Sequence, residues 1–346
     1  MTIHTAVMIP GDGIGPEVTG AAERILKAAD APVRFIERHA GIAALDRGES
    51  DVLPMSTVDA IREHGVALKG PCTTPIGGGF SSVNVALRKK LNLYASVRPV
   101  RSLPGVKTRY ENVDLVIVRE NTEGLYSGIE NQITDDVVVS MKVATRDSCE
   151  RIARWTFRYA VHRGRNKVSA FHKANIMKLS DGLFIKEARK VYEEEYPNIK
   201  YEEVIIDAAC MRLVTDPTQF DILLCENLYG DIISDLCAGL VGGLGCTPGA
   251  NIGDNDAVFE AVHGSAPDIA GQDKANPLAV IMSAAMMLNH IGTTRKDENA
   301  LECAGRVRDA YNLALTEGHK TRDLGGELGC KAFADAVIER LQVKVV

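Results

Sequence analysis

Short apolar runs ending in polar residues, separated by stretches long enough to be helices, recur along this 346-residue chain and restrict it to an α/β fold. Residues 5–9, 66–69, 115–119, 168–172, 204–207 and 222–225 have the length and apolar content of buried strands. Between them, residues 15–29, opened by Pro16 and Glu17, and residues 148–163 and 181–195 predict helices. Residues 275–291 are apolar nearly all round, which predicts a helix buried in a core or against a second subunit. Open α/β sheets place functional groups just past strand ends, and the polar residues of this chain cluster there. The length exceeds one ordinary core, so two domains are expected. Without a low-complexity linker or an internal repeat, their boundary must be a crossing of the chain.

Composition narrows the function classes. A net charge of −6 argues against nucleic acid or an anionic membrane as the main partner. No apolar run reaches the ~18 residues of a bilayer span. The N-terminal residues run straight into a strand-like segment without a signal or transit pattern, so a cytoplasmic protein is expected. The eight cysteines (72, 149, 210, 225, 237, 246, 303 and 330) form no Cys-x-x-Cys pair, which predicts reduced core thiols.

Two aspartates one helical turn apart, Asp231 and Asp235, carry the strongest chemical signal. On a helix, residues i and i+4 share a face, so both carboxylates point into one volume. Such a pair repels itself unless a cation or a proton intervenes, and hard oxygen donors suit Mg²⁺ or Mn²⁺. A solvated acidic face is the alternative, although apolar neighbours such as Ile232, Ile233 and Leu236 predict partial burial. Arg88, Arg98 and Arg119 stand at strand and helix ends, and three converging guanidiniums imply a di- or tricarboxylate ligand. Ser82 and Asn84 lie one turn before Arg88. Gly11-Asp-Gly-Ile-Gly-Pro16 misses the dinucleotide fingerprint spacing and reads as a tight strand-to-helix turn.

Several long motifs, in order, resemble the isocitrate/isopropylmalate dehydrogenase family. They are Gly11-Asp-Gly-Ile-Gly-Pro-Glu17, Arg119-Glu-Asn-Thr-Glu-Gly124, His172-Lys-Ala-Asn175, the aspartate pair, the glycine-rich stretch 240–253 and His263-Gly-Ser-Ala-Pro-Asp-Ile-Ala-Gly271. The resemblance implies a two-domain, non-Rossmann fold with its site in the cleft. Residues 1–98 plus 245–346 would form the large domain, and residues 99–244 the small one, with a dimer clasp near 127–143. It implies metal ligation by Asp231, Asp235 and Asp207, a lysine base at Lys173, and Tyr126 as the acid that protonates the enol. Lys173 and Asp207 would act from the partner subunit, so a homodimer is the minimum.

Ser82-Val-Asn84-Val-Ala-Leu-Arg88 and Lys69-Gly-Pro are similar to the isocitrate branch, in which Ser82 and Asn84 bond the γ-carboxylate. An isopropyl pocket is apolar there and would leave a carboxylate unpaired. Homoisocitrate is the nearest alternative substrate, and a non-catalytic regulatory subunit the alternative of a different class. Asp268 and Ile269 stand where NADP-using members carry lysine and tyrosine, which implies NAD⁺. Thr73, Thr74, His263, Gly264 and Asn276 match the remaining cofactor positions.

Overall fold

The structure, a computed structural model, describes residues 2–73 and 82–342. In chain order its strands are β1 (His4–Ile9), β2 (Val33–Glu37), β3 (Val66–Lys69), β4 (Ala95–Arg101), β5 (Asp114–Glu120), β6 (Gly124–Thr134), β7 (Val137–Val143), β8 (Lys167–His172), β9 (Lys200–Ile205), β10 (Ile222–Cys225), β11 (Pro248–Ile252) and β12 (Ala257–Ala261). The helices are α1 (Gly15–Ala28), α2 (Ile42–Leu45), α3 (Met55–His64), α4 (Val83–Lys90), α5 (Arg146–His162), α6 (Ser180–Glu195), α7 (Ile206–Thr215), α8 (Asn227–Leu240), α9 (Leu278–Thr294), α10 (Glu298–Thr316) and α11 (Cys330–Arg340).

Ten strands form one sheet in the order β2-β1-β3-β12-β11-β4-β5-β10-β8-β9. The first four are parallel to one another, as are the last four. Antiparallel pairing of β12 with β11, β11 with β4, and β4 with β5 joins the two blocks, which therefore run in opposite directions. Both faces are covered, which explains why the strands read as continuous apolar runs. In β1, Ala6 and Met8 enter a core with α1, α9, α10 and α11, whereas Val7 and Ile9 enter a core with α3 and α4. In β5, Val116 and Val118 pack towards α5 and α6, and Leu115 and Ile117 towards α7 and α8. β6 and β7 stand apart as a two-stranded ribbon with Ile133, Val138 and Met141 exposed.

The strand expected over 204–207 lies earlier in the chain, at Lys200–Ile205. β9 closes at Ile205, and Asp207 sits in the first turn of α7. α9 begins at Leu278, after Pro277, with Asn276 Oδ1 accepting the Leu278 N–H at 3.0 Å. All eight cysteines are free, and six are buried. No described helix is long and apolar enough to cross a membrane.

Candidate active site

A cavity of about 300 Å³ opens where the two parallel blocks meet. Asn84 and Arg88 of α4, Arg98 of β4, Tyr126 of β6, and Asp231 and Asp235 of α8 line it, with Ser82 at its rim. Its floor is ionic. The Lys69 ammonium, 1% exposed, lies 2.6 Å from Glu260 Oε2, and Arg88 Nη2 lies 3.7 Å from Glu260 Oε1. Asn251 Nδ2 donates to the same oxygen at 2.7 Å. Burial pushes the Glu260 carboxyl up, but Lys69, Arg88 and these hydrogen bonds outweigh it and hold it at about 2.

Arg119 is 1% exposed and locked onto α8. Its Nε and Nη2 donate to Asn227 Oδ1 at 3.0 and 2.7 Å, and Nη1 binds Asp231. This approach needs the glycine of Asn227-Leu-Tyr-Gly230, because a Cβ on Gly230 would fall 2.5 Å from Arg119 Cγ. Burial and then the neighbouring Arg98 and Arg88 push Arg119 down to about 10. Arg98 is lowered in the same way, by burial and then by Arg88. Burial and the neighbouring guanidiniums thus disfavour the charged forms of Arg98 and Arg119, which Asp231 offsets only in part.

Asp231 is half-buried. Burial raises its pKa, yet Arg119, the Tyr126 hydroxyl and Arg98 hold it below the usual carboxylate range. The Tyr126 hydroxyl donates to Asp231 Oδ2 at 2.5 Å, and its own pKa is raised by burial and by that bond. Asp235 differs from the partial burial expected for the pair: its side chain is 57% exposed. Among the described residues its ion-pair partner is Arg98 Nη1, at 3.7 Å, and burial and the nearby Asp231 raise its pKa despite Arg98.

Three buried polar atoms beside the cavity have no hydrogen-bond partner among the described residues: Asn84 Oδ1, Arg88 Nε and His263 Nε2. Unsatisfied groups of this kind cost stability unless a ligand completes them, so they mark a binding surface. Ser82 caps α4, accepting from Val85 N at 3.5 Å.

The structure places the other expected residues at varying distances from this cavity. His263 and Gly264 line it, and burial lowers the His263 imidazole, which is neutral at pH 7. Thr73 and Asn276 do not line it. Asn276 is engaged twice, through Nδ2 to Asp323 Oδ2 at 2.8 Å and through its bond to Leu278 N. Asp268, exposed, and Ile269, partly buried against the core, lie in a single 3₁₀ turn, Pro267–Ile269, in the loop that follows His263. Thr74 lies outside the described residues. Lys173 and Asp207 bind each other away from the cavity, with Asp207 69% exposed. The Lys69–Glu260–Asn251 floor was not expected in this role. Its only sequence signal is a lone charge at the end of each apolar strand, which must be paired when the strand is buried.

A family model described as isocitrate/isopropylmalate dehydrogenase matches residues 5–337. The chain belongs to this family. A mitochondrial isocitrate dehydrogenase [NAD] catalytic subunit 5 from Arabidopsis thaliana is 50% identical over 97% of this chain and 88% of its own length. A chloroplastic 3-isopropylmalate dehydrogenase from Solanum tuberosum is 52% identical over 90% of this chain and 85% of its own. The crystal structure of isocitrate dehydrogenase from Methylococcus capsulatus superposes with a TM-score of 0.93 at 46% identity, covering 99% of this chain and all of the other. The sheet order and these matches bear out the family's α/β fold.

One expectation is corrected. The isocitrate dehydrogenase [NAD] subunits among the relatives are named as mitochondrial, which overturns the cytoplasmic assignment. That assignment rested on the first few residues of the chain, a segment that carries no weight against those names.

Proposed function

We propose that this chain is the catalytic polypeptide of a NAD-dependent isocitrate dehydrogenase, converting isocitrate to 2-oxoglutarate and CO₂ with reduction of NAD⁺. One observation carries the reading. Arg88 and Arg98 line a cavity together with Asp231, the partner of Arg119, and its α4 wall is polar, with Asn84 Oδ1 unpaired among the described residues. A tricarboxylate offers each guanidinium a counter-charge, and its γ-carboxylate meets Ser82 and Asn84. An isopropyl group would leave Asn84 unsatisfied, which is why the isopropylmalate relative does not decide the substrate. Names among the isocitrate dehydrogenase relatives include catalytic subunits and a regulatory one; the complete arginine, tyrosine and aspartate set supports the catalytic reading.

The roles of the residues follow from their chemistry. Tyr126 keeps its proton at neutral pH and can deliver it to the carbon that loses CO₂. Lys173 takes the substrate hydroxyl proton, acting with Asp207 from the partner subunit. Homodimerisation is supported by exposed apolar side chains beside these residues: Ile176, Leu179, Met211 and Ile232. Residues 1–98 plus 245–346 form the large domain and residues 99–244 the small one, with β6 and β7 as a clasp between subunits.

Asp231 and Asp235 are hard oxygen donors on one helix face, and the cationic partner of Asp235 among the described residues is as far as 3.7 Å, which fits a divalent ion. Among the described residues no cluster of three or more His, Cys, Asp or Glu surrounds them, so substrate, water and a second subunit complete the set. When bound, Mg²⁺ or Mn²⁺ supplies Lewis-acid polarisation of substrate oxygens. NAD⁺, the hydride acceptor, is held by Thr73, Thr74, His263, Gly264 and Asn276. Asp268 and Ile269 offer an acceptor and an apolar contact where a 2′-phosphate would be repelled. The reading is tested with Asn84→Leu: KM for isocitrate should rise about tenfold or more with little change in KM for NAD⁺. An unchanged isocitrate KM would overturn it.

A further inference from the structure

Gly11-Asp-Gly-Ile-Gly-Pro-Glu17 contributes nothing to the cavity lining, yet it is bonded to both loops that do so nearest the proposed dinucleotide positions. On one side, Asp12 N donates to Pro71 O at 2.7 Å, and Asp12 Oδ2 accepts from Thr73 N at 2.6 Å. The carboxylate also accepts from Ile42 N at 3.1 Å and Ala43 N at 2.7 Å, which fixes its orientation. On the other side, Ile14 N donates to Ser265 O at 2.9 Å, and Glu17 accepts from Gly271 N. The two loops also meet directly, with the hydroxyls of Thr73 and Ser265 2.6 Å apart.

The glycines make this contact possible. Gly11 and Gly13 have φ of +79° and +59°, and a Cβ on either would fall 2.1 Å from the carbonyl oxygen of Pro71 or Ser265. Asp12 is buried, and its two oxygens take three N–H groups, an arrangement that an amide cannot reproduce.

We infer that Asp12 and Glu17 are positioning residues for the dinucleotide, acting through the loops at 70–73 and 263–271. The inference rests on the function proposed above and extends it to a motif that does not line the cavity. A bracket of this kind sets the geometry of the cofactor loops and leaves the arginine pocket alone. It therefore predicts a split between the two ligands that general destabilisation would not produce.

The test uses the full chain, with NADH binding followed by its fluorescence and isocitrate binding by calorimetry with Mg²⁺. In Asp12→Asn, a charge-assisted hydrogen-bond set is lost, so the NADH Kd should rise about tenfold while the isocitrate Kd stays within about twofold. Glu17→Ala, at a less buried site, should show the same split at about threefold. It decides the matter if Asp12→Asn does not fold. Variants that bind NADH as the wild type does, or that lose both ligands equally, overturn the inference while leaving the proposed function standing. Wild-type protein that binds isocitrate but no NADH overturns both.

Discussion

Removing the charge of Glu260 should be among the most damaging single substitutions in this chain, and the structure sets its size. Glu260→Gln leaves the Lys69 ammonium, 1% exposed, without its counter-charge and with neutral acceptors such as the Gly70 carbonyl at 2.9 Å. Stranding one member of a buried ion pair costs about 3–5 kcal/mol. In a chain of this size that corresponds to a fall of roughly 4–7 °C in Tm. The reciprocal Lys69→Met is milder, because Glu260 keeps Arg88 at 3.7 Å and Asn251 at 2.7 Å. The double variant strands no ammonium, so its loss should be smaller than the sum of the two by about 2 kcal/mol or more. Thermal scans of the four proteins measure this. The pH dependence adds a sign. Glu260 sits at about 2 in the fold against an ordinary 4.5, so its contribution is whole above about 4.5 and is lost as pH falls towards 2. The gap between wild type and Glu260→Gln should therefore narrow only in that acid window. Strictly additive losses at pH 7 would refute the reasoning.

Three further outcomes are expected. Burial, and secondarily Arg295, holds His290 at about 4 rather than 6.5. The unfolded chain thus takes up a proton that the fold refuses, so stability should fall as pH drops from 6.5 to about 4. His290→Gln should flatten that slope in Tm against pH. Asp268→Lys with Ile269→Tyr should lower kcat/KM for NAD⁺ and raise it for NADP⁺, read from initial rates, and unchanged values for both would count against the cofactor assignment. Mixing inactive Lys173→Met and Tyr126→Phe subunits should restore about a quarter of wild-type activity, because half the dimers then hold one complete site. No recovery on mixing would place Lys173 in the same subunit's site.

Much of this was legible in the sequence, for identifiable physical reasons. Strands buried on both faces, such as residues 222–225, are continuous apolar runs bounded by polar residues, and the structure reproduces that span. The aspartate pair follows from helical periodicity alone. The sheet order was not legible, because no local pattern says that β12 inserts between β3 and β11. The end of β9 was missed because Asp207 is as acceptable in a helix's first turn as at a strand's end. The ionic floor escaped notice because Lys69 and Glu260 are 191 residues apart and meet only when β3 pairs with β12. The exposure of Asp235 also departs from expectation, since apolar neighbours on a helix do not say which face a second subunit would cover.

The account stands or falls on which substrate the arginine cavity turns over. Initial rates of NADH formation with NAD⁺ and Mg²⁺ should be compared for isocitrate, homoisocitrate and 3-isopropylmalate, and repeated with NADP⁺. Isocitrate with NAD⁺ should lead in kcat/KM, with 3-isopropylmalate far behind because its side chain strands Asn84. A lead for 3-isopropylmalate, or no turnover of isocitrate by wild-type protein, would contradict the account.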